Sequence, residues 1–184
     1  MARLEAPYIE LFAWLENRAL IHDVKDAVIF RPVMLSLPLE DKDLETLDPA
    51  QYQIEWKWDG IRVQISSGAA GTRLFSRTGD DISGSFPEFK DLNFNATLDG
   101  KLLVGRDGTV APFQDLQQRL NRKTVSKKSI EDYPAFIRLY DALYIDGEDL
   151  RGLDLTERRV KLKNWFSATK PPNIDCHKFW RPPI

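Results

Sequence analysis

The sequence has very little cysteine, and this scarcity excludes several kinds of protein. One cysteine, Cys176, stands among 184 residues, so an internal disulfide is impossible and a cysteine-based zinc site lacks ligands. The neighbouring His177 adds only one further ligand. No apolar run is long enough to span a membrane, and the N-terminus has no secretory hydrophobic segment. We therefore expect a cytoplasmic protein with no membrane partner.

A large excess of charge of either sign is also lacking. The formal net charge is −2, so no global basic field indicates nucleic-acid binding, and only local clusters can support that function. What the sequence does have is 42% hydrophobic and 29% charged residues, the balance of a globular protein with a real core. Its length suits one domain, or one domain with an appendage.

The order of apolar and polar residues predicts an α+β fold with antiparallel strands and helices outside the sheet. Residues 7–29 have helical spacing, and residues 30–41 read as an extended connector that packs on the sheet. Residues 52–56 and 61–66 are predicted strands on either side of a "KWDG" turn. Further strands are predicted at 72–77, 96–110 (with a hairpin at Asp107-Gly108) and 134–147, and further helices at 86–94, 112–123 and 154–166.

The stretch "QIEWKWDGIRVQIS" places Lys57 between Trp56 and Trp58, which we expect to anchor the backbone beneath the lysine. A lysine that is partly desolvated or next to other cations has a lowered pKa and can act as an amine nucleophile. Arg62 follows closely, and its guanidinium fork matches phosphate oxygens. The residues alone thus predict a lysine that accepts a phosphoryl or nucleotidyl group, with an ordinary surface lysine as the alternative.

Four segments carry a family resemblance. "EWKWDGIR" resembles the K-x-D-G-x-R signature of covalent nucleotidyltransferases, namely ATP-dependent DNA ligases, RNA ligases and capping enzymes. "LFSRTG", "LDGKLLV" and "LYDALYIDGEDLRGLDLTERR" resemble further ligase motifs in the family's order. "WKWDGIRVQ", "FQDLQQRL" and "RKTVSKK" look most like bacterial ATP-dependent DNA ligases, and the resemblance covers residues 30–168. It implies the N-terminal portion of an ATP-grasp-like nucleotidyltransferase domain, with antiparallel sheets flanked by helices.

The resemblance also implies a reaction. Lys57 would attack the α-phosphate of ATP, form a lysyl-AMP phosphoramidate and release pyrophosphate. The AMP would then move to a 5′-phosphate at a nick, where the 3′-hydroxyl displaces it. ATP and Mg²⁺ are the implied cofactors, and nicked double-stranded DNA is the implied partner. The implied settings are DNA repair, recombination and replication.

Specific positions match the family's site residues. Lys57, Asp59 and Arg62 are the implied catalytic residues, with Asp59 orienting the lysine or its loop. Glu55 stands where the family contacts the adenine amino group. Arg62 and Arg77 match positions that hold the ribose and phosphates of the nucleotide or of the nick.

Tyr140 stands where the family has an aromatic ring against the adenine, and such stacking contributes about 1–3 kcal/mol per base. The chain departs from the family at Lys101, where a glutamate is expected. This lysine reverses the local charge, repels a divalent cation and is expected to lie near Lys57, where a like charge lowers a lysine's pKa. Asp99 remains the candidate metal ligand.

Two basic stretches are candidates for DNA contact, because phosphate contacts supply most sequence-independent affinity. The stretch 158–163, "RRVKLK", fits a solvated helix face or a DNA contact, and we favour the solvated face. For "RLNRKTVSKK" we predict DNA contacts by Arg119, Arg122, Lys123, Lys127 and Lys128.

We expect residues 1–29 to be a helical extension or a remnant of a DNA-binding region, and residues 30–184 to be a partial adenylation domain. The family's E-G-x-x-x-K and K-x-K motifs and its OB-fold domain are missing after residue 168. The chain is therefore expected to be a fragment or a degenerate ligase that lacks a C-terminal half. The alternatives are an inactive nucleotide- or DNA-binding remnant, and an RNA ligase or capping-type enzyme.

Overall fold

A computed structural model of the chain describes residues 28–48, 51–106, 108–120, 122 and 124–176. The helix predicted over 7–29 lies outside the described residues except for Val28 and Ile29, which are not helical. Within the described part, no helix combines the length and the apolar character needed to cross a membrane.

The described strands form one mixed sheet with the order β2-β1-β3-β5-β6, to which β4 adds beside β3 and β7 beside β5. All of these pairs are antiparallel except β5 with β7. The strands are β1 (Ile61–Gly68), β2 (Gly71–Ser76), β3 (Ala96–Arg106), β4 (Thr109–Val110), β5 (Ala135–Ile145), β6 (Glu148–Asp149) and β7 (Ile174–Cys176). The predicted antiparallel α+β architecture is thus confirmed.

The described helices are α1 (Asp41–Leu44), α2 (Phe113–Gln117), α3 (Lys127–Asp132) and α4 (Leu155–Thr169). The N-cap of α4 is Asp154, whose carboxylate accepts a hydrogen bond of 2.9 Å from the backbone N–H of Glu157. The helix ends at Lys170, whose φ of 44° is left-handed.

Two predicted helices are much shorter than expected. The segment 112–123 is helical only from Phe113 to Gln117, and the segment 86–94 contains only a 3₁₀ turn at Pro87–Phe89. Each of these turns carries one fully buried apolar residue, Leu116 and Phe89. Helical segments this short are not stable by themselves in water, so they depend on the packing of these side chains.

The predicted strand over 52–56 does not form. Apart from a single bridge residue, Ile54, this segment is irregular up to a bend at Asp59-Gly60 that leads directly into β1. The reason is that β2 and β3 already occupy both hydrogen-bonding edges of β1. Lys57 therefore lies on an irregular segment rather than on a strand.

The core lies on one face of the three central strands. Leu98 of β3 and Ile137 of β5 are fully buried, and α4 covers them with Leu162 and Trp165. The other face of β1 is polar yet also buried, because the backbone of Arg31 exchanges two hydrogen bonds with the side-chain amide of Gln64, at 2.6 and 2.8 Å. Strand β1 is therefore covered on both faces.

Candidate functional site

The register of the central strands brings basic side chains to one face of the sheet. Arg62 of β1 lies opposite Lys101 of β3, and Lys101 lies opposite Arg138 of β5. Tyr140 follows Arg138 by two residues and shares its face. Paired residues on neighbouring antiparallel strands are adjacent, so residues far apart in sequence form one polar surface here.

Asp99 is the buried hub of this surface. Its carboxylate is fully buried and accepts hydrogen bonds from Arg62 Nε at 3.1 Å and from the Tyr140 hydroxyl at 3.1 Å. Arg62 Nη2 also donates to Asp99 and, at 2.7 Å, to the carbonyl of Met34. A buried carboxylate needs such partners, and the result is a rigid Arg62–Asp99–Tyr140 unit.

The protonation states of this unit follow from its burial. Burial raises the pKa of the Asp99 carboxyl, while hydrogen bonds and positive charge from Arg62 act in the opposite direction. Burial and the adjacent Asp99 raise the pKa of the Tyr140 hydroxyl. Burial lowers the pKa of Arg62, but the hydrogen bonds and the charge of Asp99 outweigh it and raise the value. Tyr140 therefore remains a hydrogen-bond donor.

The segment that carries Lys57 reaches the sheet at Gly60. A Cβ on Gly60 would lie 2.5 Å from the carbonyl oxygen of Leu102 and 2.6 Å from Cδ2 of Leu103, so only glycine fits this approach. Lys101 Nζ donates a hydrogen bond of 3.1 Å to the Gly60 carbonyl. The bend is therefore held against β3 beside Lys101.

Lys57 itself is exposed and has no hydrogen-bond or ion-pair partner among the residues that the structure describes. The expectation that both flanking tryptophans anchor it is wrong for Trp56, which is 72% exposed. Trp58 is half-buried and stacks on Arg138, whose guanidinium carbon lies 4.4 Å from the ring centroid. One tryptophan thus secures the segment and leaves the lysine amine accessible.

Lys101 is surrounded by charged groups from several segments. Burial lowers the pKa of Lys101, Asp59 opposes this effect, and the positive charges of Lys57, Arg62 and Arg77 lower it further. Lys57 is thus among the charged groups that act on Lys101. Asp59 and Arg77 are both exposed, so this group of charges faces solvent.

Two consecutive arginines of α4 do not lie on a solvated face, although the sequence favoured that interpretation of 158–163. Arg158 is buried and binds Asp141 through Nε at 2.9 Å and Nη2 at 3.0 Å. Arg159 is also buried and donates from Nη2 to Oε1 of Glu55. Asp141 is buried and Glu55 is half-buried, so each carboxylate requires a cation. This requirement outweighs the usual preference of arginine for the surface.

Sequence reasoning missed three arginines of this site: Arg138, Arg158 and Arg159. The signal for Arg138 was its spacing of two from Tyr140 within a strand. The signal for Arg158 was Asp141, which requires a positive partner once it is buried, whereas Arg159 pairs with Glu55. Nothing in the spacing of the α4 residues shows which arginine reaches which carboxylate.

The predicted DNA-contacting residues fall into two groups. Arg119 is fully buried and binds Glu88 at 2.8 Å and the carbonyls of Ser85 and Tyr133 at 2.9 and 3.0 Å. Its burial does not agree with the prediction that it binds phosphate. Lys123 lies outside the described residues. The remaining candidates, all exposed, are Arg122, Lys127 and Lys128.

The residues present do not fit a protein-bound Mg²⁺. Magnesium prefers carboxylate and water oxygens in an octahedral arrangement, but the carboxylate of Asp99 already accepts from Arg62 and Tyr140. Lys101 occupies the position where the resemblance leads us to expect a second carboxylate. Among the described residues, no three carboxylate, histidine or cysteine side chains are grouped to hold a metal ion.

A cavity of about 640 Å³ adjoins the Lys57 segment on the side of α2. Trp58 and Asp59 form one wall, and Phe113 and Gln117 of α2 form another. Arg62, Asp99 and Tyr140 do not line it. The cavity therefore lies beside the polar surface of the sheet rather than over it.

Comparisons with known proteins agree with the motif pattern. A family model described as ATP dependent DNA ligase domain matches residues 33–178. A probable DNA ligase of Koribacter versatilis is 36% identical over 157 residues, which cover 81% of this chain and 27% of that protein. A DNA ligase of Methanothrix thermoacetophila is 34% identical over 139 residues, which cover 71% of this chain and 25% of that protein. The chain thus spans about a quarter of the length of these curated relatives.

Solved structures give the same picture. A mycobacterial DNA ligase D complexed with ATP and MES is 26% identical with a TM-score of 0.56, and the match covers 69% of this chain and 40% of that chain. The ligase domain of LigD from M. tuberculosis gives the same values. The predicted nucleotidyltransferase fold and the resemblance to ligases are therefore confirmed.

Proposed function

Because the chain belongs to the family of ATP-dependent DNA ligase domains, we propose that it is the adenylation part of a DNA ligase, in which Lys57 takes AMP from ATP and passes it to nicked DNA. The extent of the family match supports residues 30–184 as a partial adenylation domain and leaves residues 1–29 as an extension or a DNA-binding remnant. The proposed settings are repair, recombination and replication, in all of which nicks arise.

One observation carries the proposal. Residues from separate motifs converge beside an accessible lysine: Arg62 on β1 and Tyr140 on β5 are bound to one carboxylate, and the charges of Lys57 and Arg77 both act on Lys101. The amine of Lys57 is exposed, has no hydrogen-bond or ion-pair partner among the described residues, and lies beside these cations.

The proposed reaction has three steps. The neutral amine of Lys57 attacks the α-phosphorus of ATP, a P–N bond forms, the P–O bond to pyrophosphate breaks, and the amine loses a proton. An oxygen of the DNA 5′-phosphate then attacks the same phosphorus and displaces the lysine. The 3′-hydroxyl finally displaces AMP from the activated end and forms the phosphodiester. The positive charges of Lys101, Arg62 and Arg77 stabilise the charge that develops on phosphate oxygens.

The remaining residues bind the nucleotide in this proposal. Tyr140 offers an aromatic face for the adenine while its hydroxyl stays fixed on Asp99. Glu55 uses Oε1 for Arg159 and can accept from the adenine amino group through Oε2. Asp59 orients the loop of Lys57. Exposed Arg122, Lys127 and Lys128 contact the DNA backbone.

Intact-protein mass spectrometry after incubation with ATP and Mg²⁺ tests the proposal, with Lys57→Ala beside the wild type. We expect an AMP adduct on the wild type and none on the variant. Lys90→Ala, a change at an exposed lysine with no partner among the described residues, is the matched control and should keep the adduct. An adduct that survives Lys57→Ala would move the nucleophile to another residue.

A second candidate is a non-catalytic nucleotide- or DNA-binding remnant of a ligase. Lys101 favours it, because this lysine opposes the carboxylate and metal arrangement that the motif normally provides. No adduct on a folded wild type that still binds ATP would support this candidate. The matched family is that of DNA ligases, so an RNA ligase or capping enzyme is not retained.

A further inference from the structure

Lys101 lies among basic side chains on the polar surface of the sheet. It lies between Arg62 and Arg138 in the strand register, and its ammonium is fixed by a 3.1 Å hydrogen bond to the carbonyl of Gly60. Gly60 is three residues after Lys57. A single backbone bend therefore links this second lysine to the nucleophile.

The nearby carboxylates are already neutralised by other cations. Asp99 is bound by Arg62, and Asp175 is bound by Arg138 at 2.7 Å. Lys101 makes neither of these ion pairs, and the opposing charge that acts on it comes from the exposed Asp59. The group around Lys101 is thus rich in positive charge, with Lys57 and Arg77 adding to it.

We propose that Lys101 replaces a divalent metal ion, so that the site binds phosphate oxygens through fixed side-chain cations and without Mg²⁺. The proposal rests on the proposed function, because it concerns the same site. The ligand is a phosphate group, which either a nucleoside triphosphate or the 5′-phosphate of a DNA nick can supply. An ammonium is a point charge with three donors and can bind a phosphate oxygen while it keeps its bond to Gly60.

The electrostatics of the site support this assignment. Arg62 and Arg138 flank Lys101 in the strand register, and the charges of Lys57 and Arg77 also act on it. Such a group repels an added divalent cation and is stabilised by an added anion. The carboxylate that would have attracted a metal ion, Asp99, is fully buried and paired.

The test measures equilibrium binding rather than catalysis. The wild type and Lys101→Glu are titrated with an ATP analogue whose α,β-bridge is methylene, which Lys57 cannot cleave, in EDTA and in excess Mg²⁺. A second pair of titrations uses nicked duplexes that differ only in a 5′-phosphate or a 5′-hydroxyl. We expect the wild type to bind a phosphate ligand equally well in EDTA and in Mg²⁺. Lys101→Glu should bind about tenfold more weakly in EDTA and recover when Mg²⁺ is added.

Two further variants complete the test. Lys101→Gln removes the charge without adding a carboxylate, so it should bind weakly in EDTA and gain nothing from Mg²⁺. Lys90→Glu is the matched charge reversal. Lys90 lies two residues before Leu92, whose carbonyl accepts a hydrogen bond from Ser67 at the end of β1 opposite to Arg62. Lys90→Glu should therefore leave binding unchanged. Circular dichroism confirms that each variant is folded.

The outcomes separate the two phosphate sources and the two proposals. A Lys101 effect on the analogue alone assigns the site to the nucleotide, and an effect only on the 5′-phosphorylated duplex assigns it to the nick. Wild-type binding that requires Mg²⁺, binding in neither condition, or equal loss in Lys101→Glu and Lys90→Glu would overturn the inference. Metal-independent binding without an AMP adduct would instead keep the inference and reject adenylation.

Discussion

At the scale of single residues, the chain keeps several charges inside its fold, and each has a specific partner. Asp99 is held by Arg62, Asp141 by Arg158, and Glu88 by the fully buried Arg119. Removing one member of such a pair leaves an uncompensated buried charge, which is much more harmful than losing a surface ion pair. In the stretch 119–128, the buried Arg119 and the exposed basic residues should therefore respond differently to substitution.

We expect Arg119→Met to lower the free energy of unfolding by about 3–5 kcal/mol, because Glu88 would remain nearly buried without its cation. Lys128→Met, at an exposed position in the same stretch, should change it by less than about 0.5 kcal/mol. Urea denaturation measures both. Equal effects would show that Arg119 is not the structural member of the stretch.

Substituting the exposed lysines of α3 should change DNA binding instead. For Lys127→Gln with Lys128→Gln, we expect the salt dependence of nicked-DNA binding to weaken by about one unit of slope per lost phosphate contact. Fluorescence anisotropy at several salt concentrations measures this slope. An unchanged slope would assign both lysines to an ordinary solvated helix.

Cys176 gives a prediction about pH. Burial raises the pKa of its thiol, Arg159 and Lys163 oppose this rise, and Asp175 adds to it. A raised pKa means less thiolate at a given pH, so native Cys176 should reach half of its maximal alkylation rate at a higher pH than in the urea-unfolded chain. The rate of iodoacetamide labelling, followed by mass spectrometry, measures both profiles. Coincident profiles would contradict the burial of the thiol.

At the scale of elements, the bend at Gly60 is the feature that joins the lysine segment to the sheet. A methyl group there would overlap the backbone carbonyl of Leu102, which cannot move without disturbing β3. We expect Gly60→Ala to displace the bend and abolish the AMP adduct while the sheet remains folded. Gly84→Ala is the control, since nothing lies within 4 Å of its added carbon. Mass spectrometry measures the AMP adduct, and circular dichroism measures the folding of the sheet. An adduct on Gly60→Ala would show that the bend tolerates displacement.

The elements that the sequence predicted well are those fixed by their own pattern. Alternation identified β1, and a long, mostly apolar run identified β5. The strand expected at 52–56 was wrong because pairing depends on a free neighbouring edge, and β1 has none. A local pattern carries no information about which edges are already occupied.

The candidate site was predictable in part for the same reason. Motif order indicated Lys57 and Tyr140, but it gave no sign that Asp99 is bound by both Arg62 and Tyr140. Trp56 could not be told from Trp58, because the two are equivalent in sequence and differ only through the cation of Arg138. Long-range ion pairs are set by the assembled fold.

At the scale of the whole molecule, apolar side chains of the same type differ widely in burial. Leu98 is fully buried, whereas Leu37 is 91% exposed. We expect Leu98→Ala to reduce the free energy of unfolding by about 2–5 kcal/mol, and Leu37→Ala to change it by less than about 0.5 kcal/mol. Urea denaturation measures both, and a large effect at Leu37 would show that it packs against another part of the protein in solution.

Two adjacent residues of helix α4 form ion pairs with two distant parts of the molecule. Arg158 binds Asp141 within the sheet, while Arg159 binds Glu55, two residues before Lys57. When the Lys57 loop shifts toward a substrate, either the first turns of α4 move with it or the ion pair between Arg159 and Glu55 breaks. Movement of the loop should therefore change the rate of amide hydrogen exchange near Arg159 on α4.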